Sequence, residues 1–428
     1  MVDPVVKDIN SLHKKRWWYL FLQVLVSFAT QFTYSLAVYI GPLNETKGWS
    51  VSQILLTYTI AIWMTPIASI VGGKARDTWG NKPCIIVGGV LYGIFVAISG
   101  FSPNVTVFII VQGAVTAFFM YAVYLAQLEN VTSLFPEISG TAVGILSGGT
   151  SLFASALPVI SVHLIGWTGV ELSLVITGAG FSVICLVCGL LIFGAPADYQ
   201  GDPRLIQKMK GEQKEEEDPS KAFNISWRYL LRQPSFYLIT LYLVLFCMLG
   251  GMMQANLSLM TQQATGANEI SSAWLITAGT IILGIGGIVV GFVSDKIGVY
   301  KTLALCSGIQ GIIVVICFFV GVDKMAMYAF TVLVVEFLFG GIVALIPIIT
   351  RTAFGSRFFG VNMGLMSFAN MICSFIGPQM SVFLPIGKCF LVCGILALVG
   401  VFVMRIAESS IKKMQSDKRL IAIGNEWD

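Results

Sequence analysis

Apolar residues recur along this chain in long runs, through nearly its whole length rather than once at the front. A helix needs about 20 apolar residues to cross a hydrocarbon layer of about 30 Å. Runs of that size stand at about 17 to 40, 52 to 73, 83 to 101, 105 to 128, 140 to 166, 170 to 194, 236 to 261, 271 to 293, 301 to 321, 325 to 349, 358 to 384 and 386 to 407. The pattern predicts an all-α membrane protein of twelve transmembrane helices. Its longest polar stretch divides them six and six: an N-terminal bundle over 1–194, a linker over 195–235, and a C-terminal bundle with its tail over 236–428.

Composition agrees, with 56% hydrophobic and 11% charged residues, where soluble domains carry about 25% charged. The lipid bilayer is therefore the chain's main partner, and nucleic acid is not expected. The polar start MVDPVVKDINSLHKKR has no signal-peptide cleavage site, so the first run should remain as a helix. An even span count places both termini on one side. Of 26 Lys and Arg residues, only Lys47, Lys324 and Lys388 fall on the opposite side, and 23 lie in the tails, the even-numbered loops or the bordering helix ends. Positive charge is retained in the cytoplasm, so both termini are expected there, in a plasma or cell inner membrane.

The nine cysteines, including Cys185 and Cys188 in C-x-x-C, lie in apolar runs and read as inert core thiols. Two histidines, His13 and His163, cannot assemble a metal cluster. No metal or cofactor is expected. The run Glu215, Glu216, Glu217 beside Lys208, Lys210 and Lys214 reads as solvated charge on a connector.

The chain repeats itself once. GGKARDTWGNK (Gly72 to Lys82) follows the second run and GFVSDKIGVYK (Gly291 to Lys301) follows the eighth. Both read G-x-x-x-D-x-x-G with basic residues after, and Asp77 and Asp295 are 218 residues apart. Each aspartate is expected in the short loop between the second and third helices of its half, which makes the halves a duplication. Glycine permits close helix approach, the aspartate faces a neighbouring helix dipole, and the cations can hydrogen-bond across to the other half. Gly73, Asp77, Gly80 and Lys82, with Gly291, Asp295, Gly298 and Lys301, are thus candidates for a conformational latch.

These paired segments resemble the signature of the major facilitator superfamily over residues 17 to 407. RWWYL (16–20), YSLAVYIGPL (34–43), LFPEISGTAVGI (134–145), LLRQPSFY (230–237) and GFVSDKIGVYKT (291–302) are together similar to its oxalate/formate antiporter branch, related to monocarboxylate transporters. The resemblance implies two pseudo-symmetric bundles that rock to alternate access to a substrate held near the midplane. It also implies a monomer carrying a small-molecule substrate, with or without a proton. In that branch the anion is held by an arginine on helix 8 and a lysine on helix 11. Here those positions align with Gly287 and Asn370, and the helix-8 aspartate-arginine pair of monocarboxylate carriers is missing too.

What remains for substrate binding is polar and mostly neutral: Thr33 and Tyr34 in the first run, Tyr121 and Tyr124 in the fourth, Gln254 and Asn256 in the seventh, and Asn370 in the eleventh. Ordinary helix-helix hydrogen bonding is the plainer role for each. The acid in mid-membrane is Glu336, about eleven residues and about 16 Å into the tenth run. It must face the cavity, be hydrogen-bonded, or carry a proton. Proton coupling, recognition of a substrate cation, and a neutral acid locking helices are the three roles open to it. Glu129 sits where headgroup-level water reaches, as a gate or surface group.

The G-x-x-x-G pairs Gly89/Gly93, Gly144/Gly148 and Gly287/Gly291 are expected to pack inside each bundle. One glutamate at mid-depth offers no constellation for catalysis, so an enzyme is not expected. A small monocarboxylate, moved with a proton or by exchange, is the leading cargo. A neutral or cationic metabolite is the alternative, and a sensor on the same fold stays open.

Overall fold

A computed structural model describes residues 9–154, 156–196, 199, 201–202 and 223–417, and these are helical almost throughout. The Lys208 to Glu217 charge run and the tail beyond 417 lie outside the described residues. The chain forms two compact units, Met1–Lys214 and Glu215–Asp428.

Among the described residues ten helices are long and apolar enough to cross a membrane. One of these, Pro136–Leu191, runs 56 residues, far longer than the bilayer requires. It is broken at Gly169 (φ 77°, ψ 173°), a conformation that only glycine adopts without strain, and it holds the fifth and sixth spans. The first span is also broken: Ile9–Ala29 gives way to a 3-10 turn, Phe32–Ser35, before Leu36–Lys47 resumes. With these, the twelve expected spans are present and the protein is an all-α membrane protein. The fourth span is longer than its apolar run, because the helix Thr116–Leu134 continues past 128, and its first part, Ile109–Val115, is wound as a π-helix. The twelfth, Ile386–Gln415, likewise continues beyond 407 into a polar last stretch.

Both units use the same pairing of helices. The second span, Val51–Trp79, packs on the fourth, and the eighth, Glu269–Ile297, packs on the tenth, Met325–Phe354. The third, Asn81–Ser99, packs on the sixth, and the ninth, Val299–Val320, on the twelfth. The seventh, Pro234–Thr265, packs on the eleventh, Phe359–Phe383, as the first does on the fifth.

Small residues make the crossings close. A Cβ on Gly93 would lie 2.6 Å from Ser182 N, and the Ser182 hydroxyl donates to Val90 O at 3.0 Å. In the second unit a Cβ on Gly311 would lie 2.9 Å from Gly394 O, and Ser307 donates to Ala397 O at 2.7 Å. Hydroxyl-to-carbonyl bonds of this kind hold helices together where lipid gives no hydrophobic drive between them.

Large apolar side chains face outward, as a lipid solvent permits. Aromatic residues mark the rims: Trp17, Trp18 and Trp79 are exposed at one end of the first unit, Phe101 and Trp167 at the other. All nine cysteines are buried and none is in a disulfide.

The ends of the polar connector fold with the units they adjoin. Phe223 and Ile225 are buried, Ile225 N–H donates to Phe354 O at 3.1 Å, and Asn362 Nδ2 donates to Ile225 O at 2.9 Å. Gly355 (φ 85°) admits this segment, since any side chain there would strike Asn224. At the other end Asp202 N–H donates to Glu137 Oε1 at 3.3 Å. The linker predicted over 195–235 is thus anchored at both ends.

Candidate functional site

Glu336 sits in the tenth span and is 2% exposed. Its Oε2 accepts a hydrogen bond from Gln254 Nε2 of the seventh span at 3.0 Å. Gln254 is itself exposed, so the pair links a buried carboxyl to an open face. Room for the glutamate is made by Gly279 of the eighth span, where a Cβ would stand 3.2 Å from Glu336 Cγ. Among the described residues no cation is paired with this carboxyl.

Asn256, two residues beyond Gln254 on the same helix and half-buried, donates through Nδ2 to Ser381 Oγ of the eleventh span at 3.2 Å. Asn370 is exposed on that eleventh span, and Gly287 is buried in the eighth. Of the candidates in this unit, the structure brings together Gln254 and Glu336.

In the first unit, Thr33 is half-buried within the broken turn of the first span. Tyr34 shares that turn, but its side chain lies outside the described residues. The break frees backbone groups that must be satisfied inside a membrane. Tyr92 of the third span meets one of them, its hydroxyl accepting the Phe32 N–H at 3.0 Å. Thr33 stands in a discontinuous helix, the kind of element that lines binding sites in transporters. Tyr121 and Tyr124 are half-buried on the fourth span. One turn further on, Gln127 is fully buried, accepting from Ser27 at 2.9 Å and donating to Gln23 O at 2.7 Å. Those bonds fix the fourth helix against the first.

The repeated segments depart from the sequence expectation. Asp77 and Asp295 stand in the last turns of the helices Val51–Trp79 and Glu269–Ile297, not in loops. Each turn between helices is a single glycine, Gly80 (φ 90°) and Gly298 (φ 88°), and the next helix starts at once. The side chain of Asp77 lies outside the described residues, while Asp295 is half-buried. Gly73 and Gly291 are buried, as close approach demands.

Lys82 donates to Leu190 O at 2.7 Å and its ammonium stands 4.0 Å from the Phe193 ring centroid, both within its own unit. Lys301 is exposed. Glu129 is not a surface group: its Oε2 lies 3.4 Å from Arg76 Nη1, with side chains 14% and 7% exposed.

A second buried pair escaped the sequence reading. Arg16, at the start of the first span, bonds Glu137 in the turn before the fifth, and both are 2% exposed. Arg16 Nη1 also donates to Tyr199 Oη at 3.3 Å, and Nη2 lies 3.8 Å from Asp202. Burial pushes the Tyr199 phenol above its ordinary value, with Arg16 opposing, so it serves as a neutral hydroxyl. The available signal was their place in RWWYL and LFPEISGTAVGI, the segments that carry the branch resemblance.

Twelve spans in two alike units, with a polar break in the first helix and an acid in the tenth, define a membrane transporter rather than an enzyme. The chain belongs to the Major Facilitator Superfamily, whose family model matches residues 20–378. Among curated proteins it is 27% identical over 389 residues to the oxalate:formate antiporter of Oxalobacter formigenes, covering 88% of this chain and 87% of that one. It is 23% identical over 357 residues to the MFS-type transporter YhjX of Escherichia coli, covering 83% and 85%. A shorter match, 28% over 178 residues and 40% of this chain, is to chicken (Gallus gallus) monocarboxylate transporter 9. Among solved structures, the proton:xylose symporter XylE superposes with a TM-score of 0.67 at 13% identity, over 92% of this chain and 96% of that one. FucP in its outward conformation gives 0.65 at 14%, over 91% and 98%. At those identities the likeness is one of fold.

Proposed function

We propose that this protein is a secondary transporter of a small monocarboxylate, moved together with a proton or exchanged for a related acid by alternating access. The carrying observation is the Glu336 carboxyl, buried with a neutral amide for a partner. An ionised carboxylate so placed costs several kcal/mol, whereas a protonated one still accepts the Gln254 N–H through its carbonyl oxygen. Glu336 is assigned the coupled proton, and Gln254 the route by which the proton or substrate reaches it from the open face. The names of the relatives supply the cargo class: an oxalate:formate antiporter and monocarboxylate transporters.

Thr33, Tyr34, Tyr121, Tyr124, Gln254, Asn256 and Asn370 are assigned to substrate contact, with hydroxyls and amides in place of the missing cations. A neutral donor gives a bond about half as strong as a charged one, which suits one carboxylate better than two. The repeated segments around Asp77 and Asp295 are assigned to latching. The protein is read as a monomer of the plasma or cell inner membrane with cytoplasmic termini.

One observation favours a second reading. Gly287 and Asn370 stand where the branch holds its anion with cations, and an acid without those cations suits a neutral or cationic metabolite. Counterflow in proteoliposomes distinguishes the two. Labelled short-chain monocarboxylates should exchange and should accumulate under an inward proton gradient. Exchange of amines or neutral metabolites alone would replace the first reading by the second.

A further inference from the structure

A cleft of about 860 Å³ opens at one end of the second unit, lined by Lys301, Arg405, Glu408, Ser409, Lys412, Lys413 and Ser416. Lys301 lies in the first turn of the ninth span, and the other six follow one another along the last turns of the twelfth. Four of the seven are cations, and the one acid, Glu408, is engaged by Lys412 at 2.9 Å. That leaves a surplus of positive charge with the Ser409 hydroxyl among it, the Ser416 hydroxyl donating to Lys413 O at 2.9 Å. None of these side chains serves the transport reading except Lys301, which belongs to the repeated segment.

The cleft lies against apolar surface. Leu305, one turn from Lys301, is exposed, and so are Ile309 and Ile312 further along the ninth span. On the twelfth span, Phe402 and Ile406 flank Arg405 and are 69% and 58% exposed. A free anion would use the charged floor alone. An anionic phospholipid uses both parts, its phosphate among the cations and its acyl chains along the ninth and twelfth helices.

We propose that this cleft is a binding site for the headgroup of an anionic phospholipid, held by Lys301, Arg405 and Lys413 with Ser409 as a hydroxyl donor. Its place where the helices leave the apolar zone is where basic clusters meet lipid phosphates, each cation contributing about 1 kcal/mol. The volume falls in the range of about 300–1,000 Å³ that small ligands occupy. The Ser409 hydroxyl and the arginine fork give the phosphate directed bonds as well as charge.

The test uses the full-length protein purified in mixed micelles of phosphatidylglycerol and phosphatidylcholine, with bound lipid counted by native mass spectrometry. Wild type should retain phosphatidylglycerol preferentially, and the double variant Arg405→Gln/Lys413→Gln should lose on the order of tenfold in that preference. Retention by wild type should also fall as salt is raised, since Debye screening shortens to about 3 Å at 1 M. The salt series needs no variant, so it decides the matter even if the double substitution impairs folding. Equal retention of the two lipids, a salt-independent preference, or an unchanged preference in a folded double variant each overturns the proposal. Displacement of the lipid by inorganic phosphate at matched concentration overturns it too, and makes the cleft a site for free phosphate.

Discussion

Gln254 donates a 3.0 Å hydrogen bond to Glu336, tying an exposed amide on the seventh span to a carboxyl that is 2% exposed on the tenth. The bond crosses 82 residues of sequence, and Gly279 on the intervening span leaves the space it needs. A carboxyl that merely locked helices would gain nothing from a partner standing at the open face. One that exchanges a proton would.

Glu336→Gln should therefore fold and exchange substrate, because glutamine keeps the hydrogen bond of the neutral acid. Accumulation driven by a pH gradient should disappear, since glutamine releases no proton. If the residue instead binds a substrate cation, affinity should fall at every pH. Wild-type accumulation in proteoliposomes would leave the carboxyl as a packing hydrogen bond only.

Asp77→Asn should slow turnover more than it weakens equilibrium substrate binding, because the latch reading places the aspartate in the conformational step. Transport rates measured beside binding titrations separate the two. A variant with unchanged turnover removes Asp77 from the mechanism.

Asn370→Lys should shift preference toward dicarboxylates, as the side chain is exposed and a lysine there restores a cation that the branch uses. Gly287→Arg tests the same idea from a buried position, with a folding cost. Competition of mono- and dicarboxylates against a labelled substrate reads the shift. An unchanged profile in a folded variant removes these positions from the substrate path.

Arg16→Ala should cost on the order of 3–5 kcal/mol of stability, because it leaves Glu137 buried and uncompensated. The double change Arg16→Met/Glu137→Leu should cost less than that single substitution. Thermal melting of Arg16→Met, Glu137→Leu and their double variant against wild type closes the cycle, and additive losses would mean that the pair does not act as one.

Much of the fold was legible because bilayer thickness sets the length of each apolar run, and because duplication left G-x-x-x-D-x-x-G in both halves. Glu336 was legible for the same reason, as an acid where the solvent is hydrocarbon. Hydropathy carries no information on how each helix is rotated about its axis. That rotation decides that Arg76 meets Glu129, that Arg16 meets Glu137, and that Gln254 rather than another amide meets Glu336. The break at Phe32 was hidden because no glycine or proline marks it. What sustains it is the Tyr92 hydroxyl, 60 residues away in sequence.

The anchored connector bears on how the gene product can be divided. Tyr199 and Asp202 are fastened beside the turn before the fifth span, and Phe223 to Ile225 beside the corresponding turn before the eleventh. Scission anywhere between those anchors spares every one of these bonds. Each fragment would keep its own stub of connector as an ordered edge, so the protein is suited to complementation from two separately encoded polypeptides.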